Sequence, residues 1–339
     1  MKKVKVEDAS GLVLAHDITE VIPGKKKDVA FKKGTVIRES DVERLRDIGK
    51  RHLYVFDEAV EGVHEDDAGT RIAEAIMDRH MEATLPKEGK ISIKSTANGL
   101  FNVDTEMLYK LNRIKDVAVG TLPNRYPVKA GDLIASARII PLYTDEKTVL
   151  KVEKGWKRRK MISILPFKPM LSGLVITGSE VYEGRVPDSS HIVEAKLKEY
   201  GSGIMGKVVV TDDIPMIRDA VRDLFNRGAD IVITTAGLSV DPDDVTREGI
   251  EATGAKTIFY GTPVAPGAMF LLARLDGKYI LGAPACVYFN RYTALDIILP
   301  RVLAGERMSK KDAAMLGYGG LCTYCEVCQY PACHFGKGL

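Results

Sequence analysis

Hydrophobic and polar positions change rhythm near residue 171. From there to Gly305, continuous apolar runs alternate with stretches of helical period. Residues 172–177 (SGLVIT), 207–211 and 230–235 (DIVITT) predict strands, the first and last apolar enough to be covered on both faces. Residues 190–200 predict a helix with Ile192, Val193 and Leu197 on one side and Gly201 as its stop. Residues 214–227 predict another, with Pro215 in its first turn, Ile217, Val221, Leu224 and Phe225 on one side, and Gly228 after it. Strand, helix, strand, helix, strand defines an α/β fold: a three-layer, mostly parallel sheet with helices on both faces. Asp276-Gly277, between residues 269–275 and 278–281, predicts a tight hairpin. A last helix is expected over 286–303.

The first half is patterned differently. LVLAHDITEVIPG is an apolar stretch that closes in a Pro-Gly turn. Ser40 and Glu43 have capping-box spacing, Val42, Leu45 and Ile48 share one helix face, and Gly49 ends it. Residues 52–56 predict a strand and 68–81 a helix carrying Ile72, Ala75 and Ile76 at helical spacing. Residues 91–142 mix short strands and turns. The expected organisation is an α+β region over 1–146, a connection over 147–170, the α/β domain over 171–305 and a cysteine-rich tail over 306–339.

Composition narrows the function classes. A chain that is 45% hydrophobic and 28% charged is ordinary for a globular protein. A formal charge of +3 over 339 residues argues against a nucleic-acid partner. The basic clusters Lys25-Lys26-Lys27 and Lys157-Arg158-Arg159-Lys160 read as solvated loop charge. The opening MKKVKVEDASG has no apolar signal core, and no run reaches the roughly 18 apolar residues of a membrane span. A cytoplasmic location without a membrane partner is expected. No GxxxxGK[ST], GxGxxG or GxSxG sequence sits after a strand.

In an open parallel sheet, ligands lie beyond the carboxyl ends of the strands, and three polar loops leave those ends here. The first, TGSEVYEGRVPDSS, offers Thr177, Gly178 and Ser179, then Asp188 and Ser189 at a helix start, where free N–H groups attract phosphate. Helix capping by Asp188 or Ser189 is the plain alternative. The second, TTAGLSVDPDDVTREG, offers Thr235, Gly237 and Ser239 with Asp241, Asp243 and Asp244. Small residues allow close backbone approach, and the carboxylates suit a hard cation such as Mg2+ that neutralises phosphate. The third, LGAPAC, turns through Gly282 and Pro284.

In this order, the three loops resemble the MoaB/Mog-type molybdopterin-binding domain. TGSEVYEGRVPDSS is similar to the family's threonine-glycine-acid loop, and TTAGLSVDPDD to its glycine-rich signature, with Ala236 where a second glycine is usual. PVAPGAMF and ILGAPAC are similar to its proline-glycine hairpin and LPGNP-type turn, with Pro284 at the first proline and Val287 in place of the second. LVLAHDITEV and AFKKGTVI resemble the start of molybdopterin molybdenumtransferases.

The resemblance implies binding of molybdopterin, a phosphorylated pterin, with Mg2+, in molybdenum cofactor biosynthesis. It implies roles for Glu180, for Asp212 or Asp213, and for Asp243 or Asp244 in positioning the cation and molybdate during insertion into the (adenylated) pterin. The transferases' serine-alanine-Met-Asp-Gly-Tyr segment is not visible, and too little chain follows Gly305 for their C-terminal β domain. A non-catalytic pterin-binding or sensing module is therefore the competing class. DPDDVTREGI also resembles nucleotide pyrophosphatases of the competence-damage-inducible type. Active sites in this family commonly lie at dimer interfaces, so a homodimer is the candidate assembly.

The tail reads CTYCEVCQYPACHFGKGL, placing Cys322, Cys325, Cys328 and Cys333 in C-x2-C-x2-C-x4-C spacing. Short gaps let successive thiolates face one centre, which an iron–sulfur cluster or Zn2+ requires. His334 is a spare ligand candidate. A partner protein recruited by the tail, or a redox-active tail, is the alternative. Cys286 lies apart and reads as a small buried residue.

Overall fold

The computed structural model describes residues 1–56 and 61–338. The expected N-terminal α+β region separates into two hydrophobic cores. The first gathers Val4, Val6, Leu14, Phe31, Leu45 and Val55 from residues 1–56. Strands Lys2–Lys5 and His52–Val55 pair antiparallel there, beside the hairpin of Ile18–Ile22 and Lys26–Phe31. The helix Glu39–Asp47 starts earlier than the Ser40/Glu43 pattern suggests, because Arg38 N–H donates to the Asp41 carboxylate at 2.9 Å.

The second core gathers Ile72, Ile91, Phe101, Leu111, Ile134 and Ile162. The helix Glu65–Ile76 packs on a four-stranded antiparallel sheet, next to a three-stranded one. Of the stretch expected as a connection, 147–170, residues 147–166 belong to this unit, and Phe167 and Met170 pack on the α/β domain. The unit thus holds the helix Glu146–Trp156, which buries Val149 and Val152, and the strand Ile162–Pro166, which pairs with Gly99–Val103. The charge on either side of those few apolar positions masks their periodicity in the sequence.

The α/β domain has six strands: β1 (Leu171–Thr177), β2 (Gly203–Val210), β3 (Ile231–Thr235), β4 (Lys256–Tyr260), β5 (Leu271–Leu275) and β6 (Lys278–Ala283). Their order is β2-β1-β3-β6-β5-β4; the first four are parallel, and the β5–β6 hairpin and β4 add an antiparallel edge. Five helices accompany them: α1 (Ser179–Tyr182), α2 (His191–Glu199), α3 (Ile214–Asn226), α4 (Thr246–Ala252) and α5 (Ala294–Leu303).

Side-chain alternation along the strands produces the three layers. Leu174, Ile176, Ile231 and Ile233 point to the face covered by Val193 and Leu197 of α2 and by Leu295 and Leu299 of α5. Val175 and Val232 point to the other face, covered by Ile217, Val221 and Leu224 of α3 and Ile250 of α4. The helix expected over 286–303 begins at Ala294 instead. A single 3-10 turn, Ala285–Tyr288, precedes it, and Thr293 caps the true start, its N–H donating to the Asp296 carboxylate at 2.7 Å.

The tail forms a short helix, Lys310–Met315, and then runs in turns against the α/β domain. Phe335 is buried in the domain core, and the Tyr330 hydroxyl donates to the Asp296 carbonyl at 2.9 Å. Among the described residues, no helix is long and apolar enough to cross a membrane.

Candidate functional site

The three loops meet because their strands end at one level. Ile176 of β1 is in register with Thr235 of β3, and Thr235 with Ala283 of β6. Ala236 N–H continues the ladder one step past β3, donating to the Ala283 carbonyl at 3.0 Å. Thr177, Thr235, Gly237 and Pro284 are therefore neighbours at the carboxyl edge.

Buried hydroxyls join the loops. Thr177 Oγ1 donates to the Thr235 carbonyl at 2.8 Å, which uses its one proton. The Thr246 hydroxyl, 3.0 Å away, then supplies the hydrogen bond between the two threonines. Tyr288 OH donates to Thr235 Oγ1 at 2.6 Å and ties the third loop to the second. Burial pushes the Tyr288 hydroxyl up, so it stays a donor at neutral pH.

Gly237 has a left-handed φ of 60°, and a Cβ there would lie 2.2 Å from Thr246 Oγ1 and 3.0 Å from Thr177 Oγ1. No side chain fits. A Cβ on Gly282 would lie 2.9 Å from Leu238, so β6 packs directly under the second loop. The result is a shelf of backbone over buried hydroxyls. On it the Gly237 and Leu238 N–H groups make no hydrogen bond among the described residues, and free amides suit an anionic oxygen.

Most of the acids singled out by sequence are occupied in shaping the loops. Asp188 accepts from Ser190 N–H at 2.7 Å, from Ser190 Oγ at 3.0 Å and from Lys207 Nζ at 2.6 Å. Burial raises its carboxyl, but Lys207 and the Ser190 donors outweigh that and hold it below the usual carboxylate range. Ser189 precedes α2 and its carbonyl accepts from Ile192 N–H. Asp188 thus holds Ser190, the residue at the α2 N-cap, and no side chain caps that helix.

Asp244 accepts from Ser239 N–H at 2.7 Å, and Asp241 from Asp243 N–H at 3.0 Å; both brace the second loop. Asp213 caps α3 through Met216 N–H at 2.8 Å. Its neighbour Asp212 reaches the first loop instead, accepting from Ser179 N–H at 2.9 Å and Ser179 Oγ at 3.0 Å. The Glu180 and Asp243 carboxylates are exposed and make no hydrogen bond among the described residues. Gly178 begins the first loop at φ 134°, close to Ser179 and α1.

Sequence reasoning missed Thr246, Tyr288, Lys207 and the role of Asp212. Thr246, although inside the DPDDVTREG segment, and Tyr288 are not singled out by sequence, because a helix start and a 3-10 turn rather than a sequence pattern turn them back into the loops.

The expected metal set is not assembled. No group of three or more His, Cys, Asp or Glu residues able to hold a metal ion occurs among the described residues. Cys322, Cys325, Cys328 and Cys333 are free thiols; Cys325 and Cys328 are exposed, and the other two are half-buried. Turns rather than a regular element carry them, and Tyr324 N–H donates to Cys322 Sγ at 3.5 Å. His334 is 2.9 Å from the Leu321 carbonyl. Cys286 stands apart, and burial pushes its thiol up.

Fold and loops together define a class, an α/β domain whose candidate site lies at the carboxyl edge of its sheet. Comparison with known families places it further. Residues 173–304 match the family described as "Probable molybdopterin binding domain", and the chain carries a MoaB/Mog-type domain there. Residues 3–57 match a domain of unknown function, DUF8806, which coincides with the first hydrophobic core.

Among curated relatives, a CinA-like protein of Thermosipho melanesiensis is 33% identical over 88 residues, 26% of this chain and 22% of that protein. A molybdopterin molybdenumtransferase of Staphylococcus epidermidis is 21% identical over 296 residues, 82% of this chain and 65% of that protein. The chain thus spans less than two thirds of either relative. The solved structure of MoaB from Thermus thermophilus is 15% identical, with 40% of this chain and 98% of that one covered and a TM-score of 0.31.

Proposed function

We propose that the carboxyl edge binds the phosphate of molybdopterin and that the protein acts in molybdenum cofactor biosynthesis, inserting molybdate into the bound, adenylated or free, pterin. The observation that carries this is the convergence of three loop starts on one backbone shelf, where Gly237 leaves no room for a Cβ. Phosphate oxygens accept from backbone N–H groups, and Thr177, Thr235 and Thr246 beneath hold those groups in place. The Glu180 and Asp243 carboxylates, which make no hydrogen bond among the described residues, face the remainder of the ligand and molybdate. Magnesium has no gathered ligand set, since Asp241 and Asp244 are engaged by loop amides, so no step is assigned to it.

The test is pterin retention. The protein is purified from a molybdopterin-producing host, and bound pterin is oxidised and measured by fluorescence. The native chain should retain pterin, and Gly237→Ala should lose it by about tenfold or more, as expected when a shelf of charge-assisted hydrogen bonds is blocked. Asp243→Asn should retain pterin and lose molybdate incorporation. Absence of pterin from the native chain, or equal retention by Gly237→Ala, rejects the reading.

A second reading, cleavage of a nucleotide pyrophosphate at the same shelf, follows from the resemblance of DPDDVTREGI to the competence-damage-inducible type; CinA-like proteins are among the curated relatives. Release of a nucleoside monophosphate from such a substrate, lost in Gly237→Ala, would favour it. The cysteine tail carries a separate proposal, that its four thiolates gather around iron–sulfur or zinc when metal is supplied. Anaerobic purification followed by metal analysis tests it, with Cys325→Ser as the comparison.

A further inference from the structure

We propose that a second cavity, lined by none of the loop residues of the candidate site, binds a flat, uncharged heterocycle. The cavity measures about 290 Å³ and lies where three parts of the chain meet. The second N-terminal unit contributes Asn98 and Tyr126, the α/β domain Tyr200 and Tyr292, and the tail Tyr330. Tyr200 follows α2 and leads into the first residue of β2, whose N–H bonds the Met170 carbonyl; this is the amino edge of the sheet. Thr177, Thr235, Gly237 and Pro284 are not among the residues that line it.

Its walls are aromatic and fixed. Tyr292 and Tyr330 have ring centroids 4.4 Å apart at 31°, and Tyr200 meets Phe167 edge-on at 4.9 Å. Rings held by one another need little further ordering on binding, so the cavity is preformed. Its volume is at the lower end of the roughly 300–1,000 Å³ of small-molecule sites, which suits a ring system without a phosphate chain.

The polar groups that remain free specify the edge of that ring. Tyr330 OH is engaged by the Asp296 carbonyl, and the Asn98 side-chain oxygen accepts from Ala130 N–H at 2.9 Å. The Asn98 amide N–H groups, the Tyr126 and Tyr200 hydroxyls and the Glu199 carboxylate have no protein partner among the described residues. Tyr200 is the most enclosed of them, and burial keeps its hydroxyl protonated. The wall thus presents donors and an acceptor around flat faces, the complement of a heterocycle with both on its rim.

Charge argues against an ionic ligand. Three of the rings already have one of the chain's own cations over them, and Tyr200 has none. Lys337 Nζ lies 5.0 Å from the Tyr126 ring and 4.8 Å from that of Tyr330, and Lys196 Nζ lies 5.1 Å from Tyr292. A ligand cation would meet these ammonium groups. Glu199 and Asp132 in the lining are matched by Lys129 and by Lys337 beside it, so neither sign of charge is left in surplus for an ion.

The experiment uses the full chain and guanosine as the probe, followed by saturation-transfer NMR and calorimetry. Guanosine should bind. Tyr200→Phe and Asn98→Ala should each weaken it roughly fivefold, the loss expected of one neutral hydrogen bond, with an unchanged melting temperature. Gly237→Ala should leave guanosine binding intact, which separates this site from the carboxyl-edge shelf. The proposal fails if guanosine does not bind at millimolar concentration, or if both cavity variants bind it as the native chain does. It also fails if phenyltrimethylammonium binds in its place.

Discussion

Two adjacent residues set the shape of the second loop. Ala236 and Gly237 have φ of 70° and 60°, both left-handed. For Ala236 the methyl group crowds the following carbonyl at a cost of about 1–2 kcal/mol. Glycine would remove that strain but adds roughly 0.5–1 kcal/mol of unfolded-chain entropy. Ala236→Gly should therefore raise stability by about 0.5 kcal/mol, seen as a small rise in melting temperature. A fall of several degrees would mean that the methyl group packs usefully. Ala236 stands where the resembling family usually has glycine, and the structure gives the physical reason.

At the same scale, His64 predicts a pH effect. Burial, then the Lys33 ammonium 3.0 Å from Nδ1, pushes its pKa below the ordinary histidine value. The nearby Asp66 carboxylate does not offset them. The unfolded chain thus takes up a proton at a higher pH than the folded chain. Stability is present above the ordinary histidine pKa and is lost as pH falls through it toward the lower folded value. Denaturant midpoints between about pH 7.5 and 5.5 should fall more steeply for the native chain than for His64→Gln. Parallel slopes would remove His64 from the account.

Elements were legible where burial and period agreed. The strands around Leu174 and Ile233 and the helix around Val221 show themselves because both partners of each contact are apolar. The short α4 was not legible: of its seven residues only Thr246, Gly249 and Ile250 are buried, too few to show a period. The start of α5 was misplaced because Thr293 and Asp296 cap a helix whose apolar pattern already begins, in sequence, at Val287. Of the site, the loops were readable and the partners were not, since side-chain hydrogen bonds depend on strand register.

Asp213 shows the difference and supplies a test. Its match to a family acid suggested chemistry, but its carboxylate caps α3. Asp213→Ala should cost about 1 kcal/mol of stability, the usual value of an N-cap, and spare pterin retention. Asp212→Ala should do the reverse, releasing Ser179 and weakening pterin retention at nearly native stability. Exchange of these two outcomes would return the role to Asp213.

The whole molecule is held together partly by charge. Arg301 on α5 is 1% exposed and donates to Glu306 at 2.7 and 2.9 Å and to Asp312 at 3.3 Å. Arg125, from the second N-terminal unit, reaches the same two carboxylates at 3.0 and 3.3 Å. One network therefore joins that unit to the α/β domain and to the helix that opens the tail. Burying a guanidinium is unfavourable unless it is paired, and Arg301 Nη1 already lacks a partner among the described residues. Glu306→Ala leaves Arg301 with Asp312 alone, and a loss of about 3–5 kcal/mol is expected. Out of a total stability of roughly 5–15 kcal/mol, that loss is large enough to separate the units. Calorimetry of Glu306→Ala should show the second N-terminal unit and the α/β domain melting in two steps where the native chain melts in one. Adding Arg301→Met to Glu306→Ala should restore most of the stability of the α/β domain, because the buried charge is gone. It should not restore the single transition, because Arg125 still lacks Glu306 across the junction. A double variant that melts as one unit would show that packing around the cavity, rather than this network, joins the two.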